Sequence, residues 1–420
     1  MDREAIYGEA SPLSPLAEPS TLVHSHSHSS SMHSLEEPIL EASEEEEEDD
    51  LEEDEEHGNS TTTRRQVELP FFDPDDEALE EETVSSSSSK EQVSAFAPAS
   101  IPPRPSREAA SSKYSPLPWE GHFDEEKDVM IPDTQDVFHV YMAGTQGPVV
   151  FCIHGGGYSG LSFALVAGKM KHKVRVVALD MRGHGLSRTN NDDDLSTETL
   201  CSDVLRVINA IYGKDPPSLI LIGHSMGGAI AVRVAARKAL RTLAGLVVVD
   251  VVEGTAMASL VHMQRILTNR QTHFQSLEKA IEWSVKGGAL RNVESARISV
   301  PSTLKFDEKK NCYVWLTSLN KSEAHWRGWY EGLSDAFLSC PVAKLLMLAG
   351  TDRLDRSLTI GQMQGKFQMI VIRHSGHAIQ EDEPDEFATV VLGFISRNRI
   401  GTYGLEIPGV RRPIQLRSSN

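Results

Sequence analysis

The stretch Leu221 to Gly228, LIGHSMGG, decides the fold. It closes the apolar run SLILIGH (Ser218 to His224), which has the length of a buried strand, and opens MGGAIAVRVAARKA, whose small residues suit a helix packed close to a sheet. Between them, Gly223-x-Ser225-x-Gly227 has the spacing of a nucleophile elbow. So tight a strand-to-helix turn needs glycines, and it leaves the serine hydroxyl projecting from the strand tip. A GxSxG standing alone is a common accident of glycine-rich turns. Here it sits between a strand and a helix, so Ser225 is a candidate nucleophile.

The same grammar repeats along the chain. DVFHVYMA (Asp136 to Ala143) alternates like an exposed strand, while GPVVFCIHGG (Gly147 to Gly156) is a continuous apolar run ending in glycines. VRVVALD (Val174 to Asp180), LAGLVVVD (Leu243 to Asp250), KLLMLAG (Lys344 to Gly350) and FQMIVI (Phe367 to Ile372) read as further strands. Helical stretches intervene, among them about 196–212 and a closing helix at about 384–398. This alternation predicts an α/β domain over residues 111–400, its mostly parallel sheet covered by helices on both faces. From about 255 to 340 the alternation stops. The spacing there is helical, as in Leu277, Ala280, Ile281 and Ser284, no apolar run looks like a strand, and the segment is too long for a simple connection. A helical cap inserted between two strands is expected. Trp283, Trp315, Trp326 and Trp329 fall within it, either packing the insert or lining a pocket beneath it.

A serine hydroxyl attacks carbonyls poorly until a base takes its proton. His377, in HSGHAIQEDEP after the last strand, stands where the chain order nucleophile, acid, base puts that base. His154 opens HGGG, His184 lies in RGHG, and His224, as the immediate neighbour of Ser225, points away from it. The oxyanion of a tetrahedral intermediate needs backbone donors; the Met226 amide and the loop holding Gly155 and Gly156 are the candidates. Two aspartates compete for the acid. Asp352, in LAGTDRLD, follows the strand after the insert, which is the usual place; Asp250, in VVVDVVEGT, ends the strand before it. Either reaches the imidazole if its loop bends suitably, because a triad is defined by geometry. Pattern alone favours Asp352.

Composition narrows the remaining function classes. Of the formal charge of −20, about −23 falls before residue 111 and about +3 after it, so the folded part has no basic footprint for nucleic acid. Residues 1–110 hold HSHSHSSSMHS, EASEEEEEDDLEEDEE, SSSSSK and APASIPPRP, which bury too little apolar surface to offset ordering entropy. That extension is expected to be disordered, as a flexible tail is at 401–420. His24, His26 and His28 alternate, but a serine-rich tail gives them no fixed geometry, and no metal site is expected. The run Glu44 to Glu56 reads as a solubilising spacer, and Phe71-Phe72 as an apolar island suited to docking. Cys152, Cys201, Cys312 and Cys340 show neither a zinc nor a disulfide pattern. No signal peptide and no run near the roughly 20 apolar residues of a membrane span is present, so a cytoplasmic protein, with the nucleus as a second compartment, is expected.

With HGGG, DMRGHG, LIGHSMGGAIAV, VVDVVEGTAM, IEWSVK, FLSCPVAKLLMLAG, DRLDRSLTIGQMQGKFQM and GHAIQEDEPD in that order, the chain resembles the protein phosphatase methylesterase family over about residues 114–400. The resemblance extends to insert and QMQGKFQM segments that a generic hydrolase would not share. It implies an α/β-hydrolase fold with a cap, and a serine carboxylesterase that needs no cofactor. The implied substrate is the methyl ester on the C-terminal leucine of the protein phosphatase 2A catalytic subunit. It also implies that docking on the phosphatase aligns the triad and can disturb the phosphatase's own metals. The family's acid is the aspartate of DVVEGT, here Asp250, which reverses the preference from pattern and leaves Asp352 a supporting or helix-capping role. The acidic N-terminal extension departs from the family pattern. Two rival readings use the same residues: a general small-ester carboxylesterase or lipase, and a non-catalytic binder that sequesters inactive phosphatase. A pure binder has no need of Ser225, His377 and the oxyanion donors together.

Overall fold

The computed structural model describes residues 113–214, 216–350 and 354–401. The expectations for residues 1–110, including His24, His26, His28 and Phe71-Phe72, for nearly all of 401–420, and for Asp352 lie outside the described residues.

Strands β1 (Glu125–Met130), β2 (Val137–Ala143), β3 (Val149–Ile153), β4 (Arg175–Leu179), β5 (Leu219–His224) and β6 (Leu243–Val249) come first. Helices α1 (Ala164–Met170), α2 (Thr197–Tyr212) and α3 (Met226–Ala236) lie between the later ones. The insert follows: α4 (Glu253–Asn269), β7 (His273–Phe274), α5 (Leu277–Lys286), α6 (Val293–Ser299), β8 (Leu304–Asp307), β9 (Cys312–Trp315), α7 (Glu323–Tyr330) and α8 (Leu333–Ser339). The chain then returns through β10 (Ala343–Leu348), α9 (Arg356–Met363), β11 (Gln368–Val371), α10 (Ile379–Asp382) and α11 (Pro384–Arg397). Eight strands form one sheet in the order β1-β2-β4-β3-β5-β6-β10-β11, antiparallel at the β1 and β2 end and parallel from β4 onward.

Alternate side chains of the parallel strands enter separate cores, because successive Cβ atoms leave opposite faces of a strand. Phe151, Leu221, Val248 and Leu346 pack on one face with α2 and α3, whereas Cys152, Ile222, Val247 and Met347 pack on the other with α1 and α11. Both faces are covered, so these strands read as unbroken apolar runs. Helix α2 starts where Ser196 caps it, its hydroxyl accepting from the Thr199 amide, and stops at Gly213, whose φ of 71° suits glycine.

Register sets the strand tips level. Ile153 pairs with Gly223, His224 with Val249, and Val249 with Met347. The residues that follow these strands, namely the HGGG loop, Ser225 and Asp250, therefore emerge side by side at one edge, the ligand-binding edge of such sheets.

Three features depart from the sequence reading. The insert is not purely helical: β7, β9 and β8 form a three-stranded antiparallel sheet. Those strands are two to four residues long and only partly buried, so they leave no apolar run. The edge strand β1, EEKDVM, is charged and mostly exposed, a composition that discourages edge pairing and hides a strand from hydrophobic patterning. Strand β2 is buried rather than exposed, since Phe138 and Val140 enter the core on one face of the sheet and Tyr141 and Ala143 that on the other; His139 is tolerated there because Asp128 holds its Nδ1 at 2.7 Å.

The insert has its own core of Phe274, Ala280, Ile281, Leu290, Ala296 and Val300, joined by Ala378 from the main domain. Trp283 and Trp315 pack around it, whereas Trp326 and Trp329 are buried against the main core. The Trp326 indole donates to the Ser322 hydroxyl and that of Trp329 to the Leu195 carbonyl. No helix among the described residues is long and apolar enough to cross a membrane.

Candidate active site

Ser225 sits between β5 and α3 with φ 52° and ψ −121°, a conformation L-residues rarely adopt. The turn closes because its neighbours lack side chains. A Cβ on Gly223 would stand 2.2 Å from the Gly227 carbonyl oxygen, and one on Gly227 would stand 2.3 Å from that of Ile153. The Ser225 amide donates to the Val249 carbonyl at 2.9 Å, tying the turn to the next strand.

Asp250 follows Val249 and also has positive φ, at 49°. Its amide donates to the Met347 carbonyl, and its Oδ1 accepts from the Ala349 amide at 2.9 Å. Oδ2 lies 2.8 Å from His377 Nδ1. A carboxylate can only accept here, so Nδ1 carries the proton and Nε2 is left as the basic nitrogen. The Asp250 side chain is sealed from solvent while that of His377 is 46% exposed, which leaves the working face of the ring accessible.

Four contacts hold the His377 loop. His224 Nε2–H donates to the His377 carbonyl at 2.9 Å, and the two rings lie 4.7 Å apart. No motif or spacing around His224 points to this use. Ala378 is buried in the insert core. Asp382 accepts from the Gly376 amide at 2.6 Å and from the Arg291 amide of the insert at 2.7 Å. The buried Glu381 carboxyl accepts from the Ser295 and Ser299 hydroxyls of α6 at 2.8 and 2.5 Å. Burial pushes Glu381 up to about 8, against the lowering effect of the two serines.

The HGGG loop is pinned by two more imidazoles. His154 Nδ1–H donates to the Gly155 carbonyl, and its Nε2 accepts from the Met181 amide at 2.9 Å. His184 Nδ1–H donates to the Arg182 carbonyl, and its Nε2 accepts from the Gly157 amide at 2.9 Å. The Gly157 amide is thereby committed, whereas the Gly155 and Gly156 amides donate to no described protein atom. Met226 opens α3, so no intrahelical carbonyl can meet its amide. Burial holds His154 well below the ordinary imidazole range, His184 down to about 4 and His224 down to about 3. All three are neutral near pH 7 and serve as fixed hydrogen-bonding struts.

Ser225, Asp250, His377, Gly155, Gly156 and Met226 thus gather at one edge of the sheet. Tyr330 joins them unforeseen. Burial in α7 raises its hydroxyl to about 12, with the nearby Ser225 side chain acting against that. Its only signal was an aromatic cluster, WRGWY, with no motif spacing. Among the described residues no cluster of His, Cys, Asp and Glu could hold a metal ion.

A glycine-flanked serine elbow on a parallel sheet, beside a buried acid and an imidazole, defines an α/β-hydrolase, and the alpha/beta hydrolase family model matches residues 149–390. The solved E-2-(acetamidomethylene)succinate hydrolase shares the fold, with a TM-score of 0.56 at 19% identity over 65% of this chain and 99% of that one. Protein phosphatase methylesterase 1 of Mus musculus is 44% identical over 345 residues, covering 70% of this chain and 89% of the relative. The probable protein phosphatase methylesterase 1 of Caenorhabditis elegans is 45% identical over 304 residues, covering 71% of this chain and 83% of that relative. The chain belongs to the protein phosphatase methylesterase family and is an esterase.

Proposed function

We propose that this chain removes the methyl ester from the C-terminal leucine of the protein phosphatase 2A catalytic subunit, through an acyl-enzyme on Ser225. The observation that carries the reading is the hydrogen bond between buried Asp250 and half-open His377 at the strand tip beside the elbow. His377 Nε2 takes the Ser225 proton as Oγ attacks the ester carbonyl, and Asp250 stabilises the imidazolium that forms. The amides of Met226, Gly155 and Gly156 hold the oxyanion. Collapse breaks the carbon–oxygen bond to the methoxy group, which leaves as methanol with the proton from His377. Water then attacks the acyl-enzyme by the same route, releasing the free carboxylate and restoring Ser225. None of these steps calls on a cofactor.

The insert over about residues 255–340 acts as the cap that shapes the acyl side of the site. The compartment is the cytoplasm or nucleus, consistent with four buried cysteines that form no disulfide. The test sets methylated phosphatase against a short-chain nitrophenyl ester. Loss of phosphatase methylation with wild type but not with Ser225→Ala supports the reading, and preference for the small ester contradicts it.

A further inference from the structure

Arg270 ends α4 beside the HGGG loop, and its surroundings are those of a recognition group. Its guanidinium carbon lies 3.4 Å from the centroid of the Trp315 ring. That ring is itself held in place: its indole N–H donates to the Gln271 carbonyl at 2.7 Å, and it packs against Phe274 and Trp283 at 5.4 and 5.9 Å between ring centroids. The arginine is half-buried, and burial brings it down to about 10, with only the Tyr158 hydroxyl acting against that. Among the described residues no carboxylate pairs with it and no acceptor takes its N–H groups; stacking on Trp315 is its one polar-capable contact. A partly desolvated cation with an unused five-donor fork is costly to maintain unless an anion completes it.

Its position says where that anion would come from. Nη1 lies 3.8 Å from where a Gly157 Cβ would stand, and a Cβ on Gly155 would stand 3.2 Å from that of Ser225. Two residues of loop thus separate the guanidinium from the nucleophile. At ~3.3–3.6 Å per extended residue, the fork faces a peptide some two to four positions upstream of a C-terminal ester held at Ser225.

We propose that Arg270 is a specificity-determining residue that reads a carboxylate side chain on the acyl side of the substrate, two to four residues before the scissile ester. The proposal rests on the peptide methyl ester reading above. A planar guanidinium fixed on an aromatic platform offers two parallel N–H donors, the geometry that a carboxylate takes bidentately and that an amide or a methyl cannot match.

The test uses peptide methyl esters that differ only in one residue, Asp against Asn, walked through the second to fourth positions before the C-terminal leucine. Wild type is expected to prefer one Asp peptide by about tenfold to a hundredfold in kcat/KM, mainly through KM. Arg270→Met erases that ratio and Arg270→Lys keeps part of it. Taking the ratio within each variant cancels any general loss of folded enzyme. Product inhibition by the free acid of the all-Asn peptide, if it weakens as much in Arg270→Met as the preference does, assigns the arginine to the C-terminal carboxylate and overturns the proposal. So does hydrolysis of every peptide without preference, or a preference that Arg270→Met retains. If neither a peptide ester nor methylated phosphatase is hydrolysed while a nitrophenyl ester is, the underlying reading of the substrate has failed, and the subsite falls with it; if the phosphatase alone is hydrolysed, the same exchange of Asp for Asn in its tail reads the preference.

Discussion

His377 Nδ1 meets Asp250 Oδ2 at 2.8 Å, joining a loop near the end of the described chain to the strand tip that precedes the insert. The pair is lopsided, since the carboxylate is sealed and the imidazole is 46% exposed. The buried side fixes the orientation of the ring, and the open side leaves Nε2 accessible. The pairing also has a consequence for the contest between two aspartates, because Nδ1 is already taken by Asp250.

Replacing Asp250 by Asn removes the acceptor that selects the Nδ1–H tautomer. The expected loss in kcat is about 10⁴-fold, by analogy with the same change in a serine protease. Asp352→Asn is expected to lower kcat less than about tenfold, since a residue that does not orient the imidazole leaves the tautomer intact. Steady-state rates on methylated phosphatase check both.

His224→Phe keeps a ring of similar size but removes the N–H that holds the His377 backbone. A misplaced base costs transition-state stabilisation more than binding, so kcat is expected to fall by about tenfold to a hundredfold with KM nearly constant. A KM effect alone would point to substrate contact instead.

Acid destabilises this fold through its buried imidazoles. His224 falls from 6.5 to about 3 and His184 from 6.5 to about 4, with His154 lowered as well, so the unfolded chain binds more protons than the folded one over that range. Stability is then at its full value above the ordinary histidine range and is lost as pH drops from about 6.5 toward 3. Urea midpoints at pH 7 and pH 5 check this, with the larger free energy expected at pH 7.

Glu381 acts in the opposite sense. Its carboxyl is raised from 4.5 to about 8, so the folded state holds a proton that the unfolded chain has released. Stability from this group falls as pH rises from about 4.5 through about 8 and changes little beyond. Glu381→Gln keeps acceptors for Ser295 and Ser299 without ionising, and its Tm relative to wild type is expected to be higher at pH 9 than at pH 5.

The parallel strands were legible in the sequence because burial on both faces makes each an apolar run, and the elbow because only glycine fits at Gly223 and Gly227. Strand β1 and the small sheet of the insert were not, since charged edges and short half-buried strands carry no such run. The candidate serine, imidazole and oxyanion loop could be named from motif and chain order, and the fold brings them to one edge of the sheet. The acid could not be chosen by pattern, because spacing does not encode which of two loops bends toward the ring. Resemblance supplied Asp250, and Asp250 is the residue that the imidazole meets. His224, Glu381 and Tyr330 went unread for a different reason. His224 meets a partner 153 residues away and Glu381 one 86 residues away, and nothing local to either residue announces it.

Methanol release and the state of the Ser225 side chain, followed together during reaction with methylated phosphatase, test whether Ser225 carries the acyl group. One methanol per demethylated tail and an acyl adduct on Ser225 are expected in rapidly quenched wild type, and neither with Ser225→Ala. Demethylation by Ser225→Ala at the wild-type rate, or methanol release without any adduct on Ser225 in an Asp250→Asn variant that remains fully active, would contradict it.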